Sequence, residues 1–294
     1  DERMEVAHQA LQFRIMRCKQ ATPVNAPTLF RYGAFGRLET NENVDQLFRN
    51  ERATVSLGYI GLYEATAVFF GKDWMRDHAW DPEGKDFALS IVRRMNELCK
   101  QWSKAEGYHY SVYSTPAESL TDRFNRMDRK KFGKVEGVTD HDFYTNSFHY
   151  PVWLQLDYEK DFPYYASGGF INYCEFPCLQ ANPKALEAVW DYAYNIGIGY
   201  LGTNTPIDHC FVCGFEGDFA PTEEGFKCPE CGNSDPDKCN VTKRTCGYLG
   251  NPVQRPMVHG RHEEIAHRVK HMAGETGHVT LADGETREWF EETK

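Results

Sequence analysis

Apolar residues recur at helical spacing along two long stretches, 1–20 and 84–105, the second containing DFALSIVRRMNELCKQWSKA. Between them, RATVSLGYIGLYEATAVFF (52–70) runs from β-branched residues through two glycines into a helix-like segment, which predicts strand, turn, helix. YHYSVYST (108–115) alternates as a strand does, and PAESLTDRFNRM after it has a helical pattern. Residues 132–172 are rich in turn signals, with GKVEG, TDHD and the pair Gly168-Gly169, and suggest no periodic element. ANPKALEAVWDYAYNIG (181–197) is a helix with an Asn-Pro start and a Gly stop. Strands alternating with helices predict an α/β sheet or barrel. The pattern changes near 205–209, where large aliphatic residues thin out and cysteines crowd 210–246. A helix, RHEEIAHRVKHM (261–272), and a polar tail from Ala273 to Lys294 complete the chain. The expected divisions are 1–205, 206–240, 241–272 and 273–294.

Composition narrows the function classes. A chain of 294 residues with 41% hydrophobic and 26% charged residues can bury a sizeable core and does not read as disordered or fibrous. A net charge of −10 argues against broad binding to a nucleic-acid polymer, although a single phosphorylated small molecule needs only local help. No run of about 18 apolar residues predicts a membrane span. The opening DERMEVAHQALQFRIM is an amphipathic helix with acidic residues first, unlike a signal peptide, and it begins mid-helix without Met, as though cut from something longer. Ten cysteines without a secretory signal point to the reducing cytoplasm and to metal or redox roles rather than structural disulfides.

The strongest local signal is Cys210-x2-Cys213-x14-Cys228-x2-Cys231, two knuckles that bring four thiolates to one tetrahedral ion, with Gly214 and Gly232 permitting the tight turns. So small a loop has little core, so the metal would supply folding energy on the order of 10 kcal/mol. A pair of redox CxxC motifs is the rival reading; the ribbon spacing favours structural zinc, and Cys239 is a spare thiol. In STPAES, Thr115 suits an N-cap, Pro116 the first helical position and Glu118 a capping box. Free N–H groups at such a helix start also suit a phosphate, but capping boxes are common and on the residues alone the capping reading is favoured. Glu64 sits at the start of a helix, either as a general acid or base or as a carboxylate favoured by the helix dipole. His259, His262, His267 and His271 fit a solvated helix face better than a metal site. Gly247, in KRTCGYLGNP, is by default a turn glycine. It could also lose a Cα hydrogen to give a radical stabilised by the amides on each side.

VTKRTCGYLGNPVQRPMVHGRHEEIAHRVKHM, directly after the four-cysteine segment, resembles the C-terminal end of the anaerobic (class III) ribonucleoside-triphosphate reductases, which are glycyl radical enzymes. APTLFRYGAFGRL, RATVSLGYIGLYE, YSTPAESLTDRF, GVTDHDFYTNSFH, GGFINYCE, ALEAVWDYAYN and LGTNTPIDHCFVCGF also resemble family segments, in family order, up to about Met272. The resemblance implies the C-terminal half of a ten-stranded α/β barrel, then a four-cysteine zinc ribbon and a glycyl radical loop. It implies that Gly247 carries the radical and that Cys210, Cys213, Cys228 and Cys231 hold zinc. Ser114, Thr115, Ala117, Glu118 and Ser119 would hold substrate phosphates, and Glu64 would lie near the ribose as acid or base. The reaction implied is reduction of ribonucleoside triphosphates to deoxyribonucleotides with formate. The radical would be installed by an activase carrying S-adenosylmethionine and a 4Fe-4S cluster.

Family chains are roughly twice as long, and the thiyl cysteine lies in their N-terminal half. Cys18, Cys99, Cys174 and Cys178 do not match that motif, and Cys246 is too constrained by adjacency to Gly247. A partner polypeptide or missing segment supplying the N-terminal half is therefore expected, within a dimer of the complete enzyme. The other readings are a spare-part glycyl radical subunit and a non-catalytic zinc-ribbon interaction protein.

Overall fold

The computed structural model describes residues 1–49, 53–76, 79–115, 119–146, 152–179, 182–222, 225–245, 248–252, 261–266, 268, 277–280 and 286–289. In chain order the elements are α1 (Glu2–Gln20), α2 (Pro27–Phe30), β1 (Val55–Tyr59), α3 (Leu62–Phe70), β2 (Met75–Arg76), β3 (Ala79–Trp80), α4 (Pro82–Glu106), β4 (Tyr110–Ser114), α5 (Leu120–Phe132), α6 (Val152–Glu159), β5 (Asn172–Glu175), α7 (Pro183–Asn195) and β6 (Leu201–Asn204). The cysteine-rich part adds β7 (Asp208–Cys210), β8 (Glu216–Gly217), β9 (Ala220–Thr222), β10 (Gly225–Lys227), β11 (Cys239–Asn240), β12 (Lys243–Thr245) and β13 (Tyr248–Gly250). Then come α8 (Arg261–Ala266) and the strands β14 (Gly277–Thr280) and β15 (Thr286–Trp289).

The chain forms two interleaved compact units: Asp1–Tyr59, Ser90–Ser114 and Tyr164–Phe170 in one, and the remaining segments in the other. In the first, β1 and β4 pair in parallel, Val55 opposite Tyr110 and Tyr59 opposite Ser114. Parallel strands need a long crossover, and the connection here includes two helices. The segment 164–170 runs along β4, with the Gly168 N–H donating to Val112 O at 2.7 Å and Gly169 bridging to Tyr113. α1 contributes His8, whose ring stacks on Trp102 at 4.1 Å and meets Glu106 at 2.6 Å.

In the second unit, β5, α7 and β6 form a parallel β–α–β unit, Asn172 opposite Leu201 and Glu175 opposite Asn204. Its core joins Val152 and Leu156 of α6, Cys174 and Phe176, and Ala185, Val189 and Ala193 of α7. β7 lies between β8 and β11, and β9 pairs with β10. Phe219, Phe226, Val241 and Ile265 pack with Cys210, Cys228 and Cys239, so the four-cysteine segment has a small core shared with the segment that follows it. β14 and β15 pair antiparallel within the polar tail.

Two expectations need correction. The turn-rich stretch 132–172 contains the helix α6, whose Val152, Gln155, Leu156, Tyr158 and Glu159 are all buried. A helix covered on most sides shows no polar stripe to betray its period. α5 begins at Leu120 with Ser119 at its N-cap and no side-chain cap, so Thr115 does not start it; Pro116, Ala117 and Glu118 lie outside the described residues. α8 covers the first half of the helix expected over 261–272, residues 267 and 269–272 being outside the described set. No described helix is long and apolar enough to cross a membrane.

Candidate functional site

Cys210 and Cys213, at the end of β7, face Cys228 and Cys231, which follow β10. The four sulfurs lie within 4.8 Å of one another, with Cys210–Cys231 and Cys213–Cys228 each 3.7 Å apart. Zn–S bonds of about 2.3 Å put tetrahedral sulfurs about 3.8 Å apart, so the site fits such an ion and is too open for disulfides. Each knuckle closes on a glycine in the left-handed region: Gly214 (φ 78°) donates to Cys210 O and Gly232 (φ 74°) to Cys228 O. Burial raises the Cys210 thiol pKa, but the N–H groups of Cys213 and Val212 and the Asn233 amide outweigh it and hold the thiol below its ordinary range. Against the Phe215 N–H, burial and the other three sulfurs push the Cys213 thiol up to about 12, so the cluster holds one thiolate at the expense of its neighbour.

The four-cysteine segment also holds β12, the strand that precedes Gly247 in the sequence. Asp208 is fully buried, and its carboxylate accepts from the backbone N–H groups of Phe219 and Thr242, each at 2.8 Å. The Lys243 ammonium reaches the same carboxylate at 2.5 Å and also pairs with Asp218. A buried carboxylate with donors this well placed is compensated, and removing a partner from such a pair costs about 3–5 kcal/mol. β12 and β13 pair antiparallel, Lys243 opposite Gly250 and Thr245 opposite Tyr248. Gly247 and Cys246 lie in sequence between these strands, outside the described residues. Arg244 of β12 donates through Nε to Asn204 Oδ1 at 3.2 Å. Asn204 is the last residue of β6, so the hairpin is tethered at the C-terminal end of parallel strands, where open α/β sheets bind their ligands.

Glu64 stands in the first turn of α3 and is 2% exposed. Gly61, at the N-cap, adopts φ 85°, and the Tyr144 ring lies 3.4 Å from where a Cβ would stand. The loop after α5 caps the helix: Asn146 Oδ1 accepts from Leu62 N at 3.3 Å and Thr145 O from Tyr63 N at 3.2 Å. Glu64 returns the interaction, accepting from Thr145 N at 3.0 Å and lying 3.2 Å from His141 Nε2. His141 Nδ1 in turn lies 3.1 Å from Asp140. Burial raises the Glu64 pKa against the lowering effect of His141 and the N–H donors. Burial alone would lower His141, but Glu64 and Asp140 raise it. The two groups titrate as a coupled pair that holds its proton more tightly than the free side chains do. The arrangement equally pins the 141–146 loop to α3. His141, Asp208 and Lys243 were not singled out by the sequence pattern, because their partners lie 77 and 35 positions away.

Of the residues expected at the phosphates, Ser114 closes β4 in the first unit, while Thr115 and Ser119 belong to the second. Ala117 and Glu118 lie outside the described residues.

The family profile described as anaerobic ribonucleoside-triphosphate reductase matches residues 1–271. The chain is similar to the anaerobic ribonucleoside-triphosphate reductases of Haemophilus influenzae (49% identical) and Escherichia coli (46%), over 92% of this chain and 39% of each relative. It is 43% identical to that of Enterobacteria phage T4, over 92% of this chain and 44% of the phage protein. It therefore spans about two fifths of the length of these relatives. A solved Thermotoga maritima anaerobic ribonucleotide reductase, with MES in its active site, superposes with a TM-score of 0.55 at 21% identity over 85% of this chain and 41% of that one. The same enzyme in complex with dATP and CTP gives 0.53 at 18%, over 90% and 41%. These structures support the mixed α/β fold, and the profile match over nearly the whole chain places it in the anaerobic ribonucleoside-triphosphate reductase family.

Proposed function

We propose that this chain is the glycyl-radical-bearing part of a reductase converting ribonucleoside triphosphates to deoxyribonucleoside triphosphates, with formate as reductant. Gly247 holds the radical, installed by an S-adenosylmethionine activase with a 4Fe-4S cluster. Cys210, Cys213, Cys228 and Cys231 hold a structural zinc that stiffens the base of the loop. The α/β part is half of a ten-stranded barrel, completed by an N-terminal portion that supplies the thiyl cysteine, in a dimeric enzyme. The observation that carries the reading is the anchoring of β12 and β13, the strands flanking Gly247, beside the four-cysteine cluster and at the C-terminal ends of parallel strands.

The chemistry follows from that placement. A hydrogen atom passes from the partner thiol to the Gly247 Cα radical, leaving a thiyl that takes the ribose 3′-hydrogen. The 2′-hydroxyl leaves as water, with Glu64 as the acid; formate, oxidised to carbon dioxide, supplies the hydrogen and electrons that reduce C2′, and the thiol returns the 3′-hydrogen and becomes the thiyl again. Ser114, Thr115, Ala117, Glu118 and Ser119 contact the phosphates; nucleoside triphosphates are bound by the T. maritima enzyme solved with dATP and CTP. Mixing the chain anaerobically with the N-terminal portion, activase, S-adenosylmethionine and a reductant should give a glycyl doublet by electron paramagnetic resonance. The doublet should vanish in Gly247→Ala, along with formate-dependent deoxynucleotide formation. An assembled complex without the doublet, or one in which Gly247→Ala retains it, overturns the reading.

A further inference from the structure

Arg268, just past α8, has a side chain only 6% exposed, and among the described residues its guanidinium engages Glu175, Glu264 and the Arg244 carbonyl. Nη1 donates to Glu175 Oε1 at 3.2 Å, and Nε and Nη2 donate to Glu264 Oε1 and Oε2 at 2.8 and 3.0 Å. Nη2 also donates to the carbonyl of Arg244 at 2.6 Å. Glu175 Oε1 accepts from Asn204 Nδ2 at 2.7 Å, and Asn204 Oδ1 accepts from Arg244. The Arg244 guanidinium lies over the Tyr173 ring, 5.4 Å from its centroid. Glu175 and Asn204 are the last residues of β5 and β6, and Arg244 precedes Gly247 by three positions.

A planar fork that engages one carboxylate twice, a second once and a backbone carbonyl admits one orientation, which a flexible ammonium cannot reproduce. Sliding the β12 backbone along the strand ends would strip a nearly buried guanidinium of partners, a costly displacement. We propose that Arg268 is a positioning residue: it locks the base of the β12–β13 hairpin onto the C-terminal ends of β5 and β6 and so sets where Gly247 is presented to the partner thiol. The inference rests on the radical reading of Gly247 above. Transfer of a hydrogen atom from thiol to Cα depends steeply on the gap, and a misplacement of about 1 Å can cost on the order of a hundredfold in rate.

The test compares the reconstituted reductase carrying the parent chain, Arg268→Lys and Glu175→Gln. Radical per chain, turnover per radical, KM and zinc per chain are each measured. In Arg268→Lys the doublet and zinc should persist and KM should hold, while turnover per radical falls on the order of a hundredfold. Glu175→Gln should fall in the same direction by less, because it keeps a carbonyl acceptor. Turnover per radical equal to the parent in Arg268→Lys overturns the proposal. Should that variant lose zinc and fail to fold, the decision passes to Glu175→Gln: lowered turnover per radical supports the lock and unchanged turnover overturns it. A parent assembly with no doublet is a different failure, since it removes the radical reading itself.

Discussion

Cys174 and Cys210 are both fully buried, yet they belong to opposite kinds of interior. Cys174, in β5, packs among Val152, Leu156, Phe176 and Val189. Burial there, reinforced by the Glu159 and Glu175 carboxylates, pushes its thiol far above the ordinary range. Cys210 meets backbone N–H groups and three other sulfurs, and its thiol is held below that range. Exposure is the same, although Cys174 is packed deep within its unit and Cys210 lies near the surface, so exclusion of solvent alone does not decide the chemistry. What decides it is whether dipoles or apolar atoms meet the sulfur. The packing of α6, β5 and α7 around Cys174 is accordingly an apolar core, and the four-cysteine segment is a small core completed by a charged cluster.

The sharpest way to break that comparison is metal removal. Structural zinc contributes on the order of 10 kcal/mol to domains of this kind. Chelation should therefore abolish hydrogen-exchange protection at the Gly214 and Gly232 amides, which bond to the Cys210 and Cys228 carbonyls. Protection in β5 and β6 should persist. If the knuckle amides stay protected in a demonstrably metal-free chain, the aromatic core of Phe219 and Phe226 suffices and the contrast fails. The reciprocal perturbation is Phe176→Ala. Phe176 is fully buried in the apolar core, and its truncation should cost about 3–5 kcal/mol by urea denaturation. Zinc per chain should be unchanged under native conditions; metal loss in parallel would mean the two regions stand or fall together.

The same contrast explains what could be read from the sequence. α4 and α7 are amphipathic over several turns, so their periodicity gives them away. Cysteine spacing predicts the four-sulfur cluster because short knuckles leave few other geometries. α6 escapes because its buried residues include Gln155 and Glu159 as well as Val152 and Leu156, which blurs the face that a period would mark. β5 and β6 span four residues each, too few to distinguish a buried strand from a loop. The Lys243–Asp208 lock and the Glu64–His141 pair are products of topology. No local pattern encodes a partner brought in by the fold. The role proposed for Gly247 rests on family resemblance alone, since a lone glycine between a cysteine and a tyrosine is otherwise a turn.

The smallest effect expected is one of pH, and it separates a proton-holding Glu64 from a merely structural one. Glu64 and His141 both have folded pKa values raised above their unfolded ones, Glu64 chiefly by burial and His141 by the Glu64 and Asp140 carboxylates against burial. A raised folded pKa means that the native state binds the proton more tightly, so each contribution is complete below the unfolded pKa and fades as pH climbs through the folded one. For Glu64 the decline begins above about 4.5 and for His141 above about 6.5, the ordinary values of the two groups. Thermal stability should therefore fall from pH 6 toward alkaline pH in the parent, and less steeply in His141→Gln, whose amide still reaches Glu64 but does not titrate. A parallel pair of stability curves over that range would show that the histidine proton is not held by the fold. The Glu64–His141 contact would then serve only to fasten the 141–146 loop to α3.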